Sequence, residues 1–247
     1  MPVYELPKGM RYSTLEERER FYRDEFDVGK IGEWFGAQTR NVIFAVIMGR
    51  HTGVYPPEYK QEASTTILID EYNNLEDVKS QILEFRPEAV YYDRNLYDDN
   101  GKANGQELAF DVDPENLRCP IHGTLEDKMK RHQGLSFCET EFAMAKAETI
   151  RLHDELSRTF SRMKVVYSGR GLHVHVFDDD AYKWSRAQRR KFAKKTKLKG
   201  FPIDEWVTSG NMRLIRLPYS LHGMVSRIVI PVDIRELQDF DPVRDER

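Results

Sequence analysis

The stretch Glu107–Pro114, read as E-L-A-F-D-V-D-P, constrains this chain more than any other. Along a β-strand, side chains alternate between faces. As a strand, the stretch sends Phe110 and Val112 into a core and stands Asp111 and Asp113 together on the opposite face. Neighbouring carboxylates repel one another unless a cation lies between them, and Pro114 then ends the strand. The pattern reads as a divalent-metal site at a strand end. Taken alone, it fits an exposed acidic pair at a strand-to-turn junction equally well.

The surrounding sequence alternates strand and helix signals. Val42–Met48 is the longest apolar run; it reads as a buried strand and is far too short to span a membrane. Ser64–Ile69, Ala89–Tyr92, Met163–Tyr167, Leu172–Phe177 and Arg227–Val232 are further strands. Ser13–Glu16 has the form of a capping box and opens a helix to about Phe26, on which Arg18, Arg20 and Arg23 form a solvated face. Asn74 caps a helix over Leu75–Phe85. Over Glu139–Phe160, apolar residues recur at spacings of three and four, as on an amphipathic helix. Trp184–Thr196 is a helix, Asn211–Leu217 a short one, and Asp233 caps a final turn. Interleaving of this kind gives an α/β (α+β) class, with one main sheet flanked by helices in a single domain over residues 1–247.

A chain of 247 residues buries a sizeable core without disulfide staples. Met1–Met10 lacks the apolar core of a signal peptide, so the expected location is intracellular, in the cytoplasm or with the nucleoid. There Cys119 and Cys138 are ligands or free thiols rather than a bridge. Both lie, with His122 and His132, in or at the end of a polar irregular segment at about 114–138. Two donors at C-x-x-H and two further on can close a tetrahedral zinc site; free thiols beside incidental histidines are the plain alternative.

Two more clusters carry chemistry. Tyr167–Val176, Y-S-G-R-G-L-H-V-H-V, is a tight glycine loop between strands. Such a loop can aim N–H groups at an anion, with Ser168 and Arg170 on it and His173 just beyond. Ile203–Gly223 contains Asp204, then Arg213 and Arg216 at the spacing of one helical turn, then Pro218, Ser220 and His222. This density of basic and hydroxyl groups among apolar residues suggests an anion pocket, with structural arginines as the alternative. The net charge of −3 gives no global attraction to nucleic acid, so local patches must supply it. Lys183–Lys199 is such a patch, free of acids, with Arg186, Arg189, Arg190, Lys194 and Lys195 among interleaved Trp184 and Phe192. It is either a solvated face or a track for nucleic-acid phosphates.

Together these pieces resemble, in order, the small catalytic subunit of archaeal and eukaryotic-type DNA primases, within the primase-polymerase superfamily. E-L-A-F-D-V-D-P is similar to its metal motif and Y-S-G-R-G-L-H-V-H-V to its Ser-Gly-basic-Gly-His loop. Asp204 followed by V-T and R-L-I-R-L-P-Y-S-L-H-G is similar to its third motif. E-R-E-R-F-Y-R-D-E-F near the start, G-R-H at Gly49–His51 and F-D-P-V-R-D at Phe240–Asp245 extend the likeness over nearly the whole chain. The loop has one residue fewer between serine and histidine than is usual in the family.

The resemblance implies a primase-polymerase core built on a central mixed sheet flanked by helices, with a zinc knob at about 114–138 held by Cys119, His122, His132 and Cys138. It implies two Mg²⁺ or Mn²⁺ ions on Asp111, Asp113 and Asp204. The triphosphate of a nucleotide would be gripped by Ser168, Arg170, His173, Arg216, Ser220 and His222. The expected activity is synthesis of short primers on single-stranded DNA from nucleoside triphosphates, in partnership with a large primase subunit. A stand-alone gap-filling polymerase of the same superfamily is the nearest alternative, ahead of a non-catalytic nucleic-acid-binding regulatory subunit or a metal-dependent nuclease.

Overall fold

A computed structural model describes residues 4–36, 42–98 and 100–245. The strands, in chain order, are β1 (Phe44–Ile47), β2 (Ile67–Ile69), β3 (Ala89–Asp93), β4 (Asn95–Tyr97), β5 (Ala103–Gln106), β6 (Leu108–Val112), β7 (Met163–Tyr167), β8 (Leu172–Val176), β9 (Leu214–Arg216), β10 (Leu221–His222), β11 (Arg227–Ile228) and β12 (Ile230–Val232). The α-helices are α1 (Leu15–Arg20), α2 (Val28–Phe35), α3 (Leu75–Phe85), α4 (Leu125–Lys130), α5 (Glu139–Leu156), α6 (Asp179–Tyr182), α7 (Arg186–Leu198) and α8 (Glu205–Thr208). This is the α/β class expected from the sequence. None of the described helices is long and apolar enough to cross a membrane.

The chain divides into two compact units, each with its own four-stranded sheet. One comprises 11–105 and 213–230, with strand order β2-β1-β3-β9. All three pairings within this sheet are antiparallel. Phe44, Val46, Val90 and Tyr92 fill its core. Here the helix after Ser13 starts at Leu15, capped by Thr14, and its last turn widens to a π-turn over Phe21–Glu25. Arg20 and Arg23 are solvated as expected, but Arg18 is fully buried. Its guanidinium donates to the carbonyls of Met48 (2.7 Å) and Val54 (2.9 Å) and to Ser13 Oγ (2.8 Å). A helix over Asn211–Leu217 does not form: Leu214–Arg216 is an edge strand on β3, because β3 offers an unpaired ladder that local helix propensity cannot match. The single strand expected over Arg227–Val232 is divided between β11 and β12.

The other unit comprises the start of the chain to Met10, Gln106–Met212 and the segment from Pro231. Its sheet has the order β12-β7-β8-β6, so β6 is an outer strand. Phe110, Val112, Val174 and Val176 are fully buried between this sheet and its helices. Helix α5 buries the stripe predicted from its spacing, Phe142, Ala145, Thr149, Leu152 and Leu156. Helix α7 packs by Phe192 against Phe110 on β6, ring centroids 6.1 Å apart. The segment over 114–138 is less irregular than its composition suggests, with a 3-10 turn at Pro114–Asn116 and the capped helix α4.

Candidate active site and metal centre

In the unit built on β6, the alternation along the strand does what the sequence requires. Phe110 and Val112 are inside, while Asp111 lies opposite His173 on β8, with Nε2 3.6 Å from its Oδ1. Asp113 follows the strand and precedes the 3-10 turn. The third acid arrives from far along the chain. The Asp204 N–H donates to the Asp111 carbonyl (3.0 Å), on the strand edge that β8 does not use. The Asp204 carboxylate caps α8 by accepting from the Trp206 N–H (2.7 Å). Asp111, Asp113, Asp204 and two further carboxylates, Glu115 and Glu205, line one cavity of about 720 Å³.

Burial first, then the charges of Asp113, Asp204 and Glu115, push the Asp111 carboxyl well above the ordinary carboxylate range; Arg170 offsets this in part. Its buried Oδ1 has no hydrogen-bond partner. Acceptor atoms crowded in this way fit a hard cation, which takes carboxylate oxygens. Arg170 is itself buried, paired with Glu115 at 2.8 Å, and sits over the Phe137 ring at 5.6 Å. Burial works against its charge, and Glu115, Asp113 and Asp111 outweigh that, raising its pKa.

The glycine loop is shaped for close approach. A Cβ on Gly171 would overlap Asp113 Oδ1 and the Val112 carbonyl, so only glycine lets β8 start beside the acids. Gly169 has φ +107°, in the region that L side chains avoid. Ser168 closes the turn: its N–H donates to the Gly171 carbonyl (3.0 Å), and its hydroxyl accepts from the Gly171 N–H (3.2 Å). The residue is buried, so in this structure both groups serve the turn itself.

Arg216, Ser220 and His222 belong to the other unit. Arg213 and Arg216 do not share a helical face. Arg213 pairs with Asp93 at 3.1 Å, while Arg216 lies 4.8 Å over the Tyr91 ring and donates to its hydroxyl. Ser220 donates to the Leu217 carbonyl (2.6 Å), and His222 sits opposite Arg227 in the β10–β11 pair.

The basic run splits by helical face. Arg186 and Arg190, one turn apart, join Lys197 on the wall of the acidic cavity, and Lys194 and Lys195 are exposed. Arg189 is no nucleic-acid contact. It is buried and donates to the carbonyls of Glu107 (3.2 Å), Gln106 and Ala181 (3.1 Å). Trp184 and Phe192 pack on one another and on Phe160 rather than interleaving with the exposed cations.

Cys119, His122 and Cys138 converge as their spacing suggests, but the fourth donor is Glu141 in place of His132. His132 is exposed, at φ +58°, beyond the end of α4. Cys138 is the N-cap of α5, and Glu141, the N3 residue, folds back to accept from the Cys138 N–H (3.0 Å), which carries its carboxylate to the cluster. Cys119 Sγ lies 3.9 Å from Cys138 Sγ and 3.6 Å from His122 Nδ1, and His122 Nδ1 lies 3.3 Å from Glu141 Oε2. Two sulfurs on one tetrahedral zinc stand about 3.8 Å apart, so the donors fit that ion. Glu141 Oε1 is held by the buried Lys128 ammonium at 2.8 Å. Sequence reasoning missed Glu115 and Glu141. The signals were there, as a D-x-D-x-E continuation and as the N3 position of a capping box.

Compared with solved structures, the chain matches the polymerase domain of Mycobacterium tuberculosis Ligase D in complex with DNA. The TM-score is 0.56 over 97% of this chain and 89% of that one, at 15% identity. The chain thus shares the fold of that polymerase domain. In sequence, the chain is 51% identical to an uncharacterised DNA primase small subunit-like protein of Archaeoglobus fulgidus, over 97% of this chain and 91% of the relative. It is 27% identical to the DNA primase small subunit PriS of Pyrobaculum calidifontis, over 68% of this chain and 67% of the relative. With PriS of Pyrococcus furiosus it shares 29% identity over 74% of this chain, spanning 48% of that protein. The chain belongs to the DNA primase small-subunit family. No protein-family model matches it.

Proposed function

We propose that this protein is a template-directed nucleotidyltransferase that joins nucleoside triphosphates on single-stranded DNA, making short primers and releasing pyrophosphate. The observation that carries this reading is the convergence of Asp111, Asp113 and Asp204 on one cavity, tied by the Asp204 N–H on the Asp111 carbonyl. These three carboxylates would hold Mg²⁺ or Mn²⁺. Such ions lower the pKa of an attacking 3′-hydroxyl and neutralise the leaving phosphates of an in-line displacement. His173, beside Asp111, and Arg170, fixed on Phe137 and Glu115, would orient the triphosphate. Cys119, His122, Cys138 and Glu141 would hold a zinc ion. With four protein donors it leaves no open position, so its role is structural. The expected partners are the template, the nucleotides and a large primase subunit.

The test is de novo synthesis on a single-stranded template, with each nucleotide type and with Mg²⁺ or Mn²⁺. A primed template run in parallel separates primer synthesis from extension. Asp111→Ala and Asp113→Ala abolish both reactions while leaving the circular dichroism spectrum unchanged; activity retained in both variants would sink the metal assignment.

A further inference from the structure

Trp206 is two residues beyond Asp204 on α8, and the residue is 66% exposed. It is not a ring on a loose loop. Its N–H is held by the Asp204 carboxylate at 2.7 Å, and its carbonyl accepts from the N–H groups of Asn211 and Met212, both at 3.1 Å. The backbone that carries the ring is thus fixed, and the exposed side chain lines the same cavity as Leu125, itself 37% exposed.

Its surroundings indicate what. Trp206 lines the acidic cavity together with Arg186, Arg190 and Lys197. These three cations recur at helical spacing along one stripe of α7, beside the stripe that is buried through Arg189, Ala193 and Thr196. Arg186 is also tied to the Asn211 side chain, in the loop that fixes Trp206. A row of cations that follows phosphates, beside an aromatic face that takes a base, is how proteins hold single strands without reading their sequence.

The strand topology separates this wall from the glycine loop. One edge of β6 pairs with β8, at whose start Arg170 and Gly171 lie; the other receives Asp204 and, behind it, Trp206. The carboxylates stand between. If the glycine loop takes the triphosphate, as proposed above, the α7–α8 wall is left for the strand.

We propose that Trp206 is a stacking platform for a base of single-stranded DNA whose phosphates run along Arg186, Arg190 and Lys197. Naming that strand the template rests on the polymerase reading; the binding itself does not.

The chain has three tryptophans, of which Trp34 is buried and Trp184 packs on Phe160 and Phe192, so the exposed Trp206 reports separately. The experiment titrates the full chain, without metal or triphosphate, with a short oligothymidylate and with an abasic oligonucleotide of equal length and charge. Oligothymidylate should quench the emission, and the abasic strand should bind roughly tenfold more weakly without quenching it. Trp206→Ala should lose the quench and roughly tenfold in affinity, Trp206→Phe should keep most of the affinity, and both should melt as the parent does. Equal affinity for the abasic strand, or a quench that survives in Trp206→Ala, overturns the proposal. So does a quench produced by a nucleoside triphosphate with Mg²⁺ and not by the oligonucleotide, which would assign the ring to the incoming nucleotide. Because this readout needs no turnover, a protein that binds in this way yet synthesises nothing would refute the polymerase reading alone.

Discussion

Glu141 shows how much one residue decides. Its two oxygens face two ways, one toward His122 and the cysteines and the other toward the buried Lys128 ammonium. The sequence offered His132 as a more ordinary ligand, and spacing alone favoured it. What spacing does not show is that the chain leaves α4 at His132 with its side chain in solvent, while the first turn of α5 brings a carboxylate back over Cys138. His132→Ala is therefore expected to retain its zinc in atomic analysis, while Cys138→Ser and Glu141→Ala lose most of it. Zinc lost from His132→Ala and kept in Glu141→Ala would restore the ligand set first expected. Asp111 and Asp113 were legible from sequence because strand alternation is a local rule. Glu115 continues the same acidic run, but its pairing with Arg170, 55 residues away by number and 2.8 Å away in space, is not written in that run.

At the scale of elements, α7 illustrates why a charge count misleads. Every position from Arg186 to Lys199 that carries a cation looks alike in sequence, but the helix has an inside. Arg189 on that inside collects carbonyls from the start of β6 and the end of α6, groups that would otherwise be buried without donors. Arg189→Ala should cost about 3 kcal/mol in urea denaturation, since hydrogen bonds from charged donors contribute about 1.5–3 kcal/mol each. Arg190→Ala, on the outside, should change stability by less than about 0.5 kcal/mol and instead weaken single-strand binding and flatten its salt dependence. The reverse pattern would mean the faces are assigned wrongly. The same tertiary override placed a strand, β9 (Leu214–Arg216), inside the helix expected over Asn211–Leu217: an open sheet edge outcompeted the local preference.

At the scale of the whole molecule, the class and the longest elements were readable from sequence, whereas the division into two units was not. Turn and linker signals mark boundaries only where the chain leaves a domain for good. Here it passes from one unit to the other four times, near residues 10, 105, 212 and 230. The sheet β2-β1-β3-β9 thus takes its last strand from far downstream. A fragment of residues 11–105 is expected to lack a cooperative thermal transition by circular dichroism. Joining it through a flexible linker to residues 213–230 should restore one. A cooperative transition in the short fragment would show that β9 and the β10–β11 pair are dispensable.

This threading also sets a schedule for synthesis. As the chain leaves a ribosome amino end first, neither unit is complete when its largest piece emerges. One waits for β9 to β11, and the other for β12. The carboxylates on β6 and α8 are exported well before the outer strand of their own sheet. Until that strand arrives, the edge of β7 stands open to other nascent chains, and a chaperone that shields it would act late in translation rather than early.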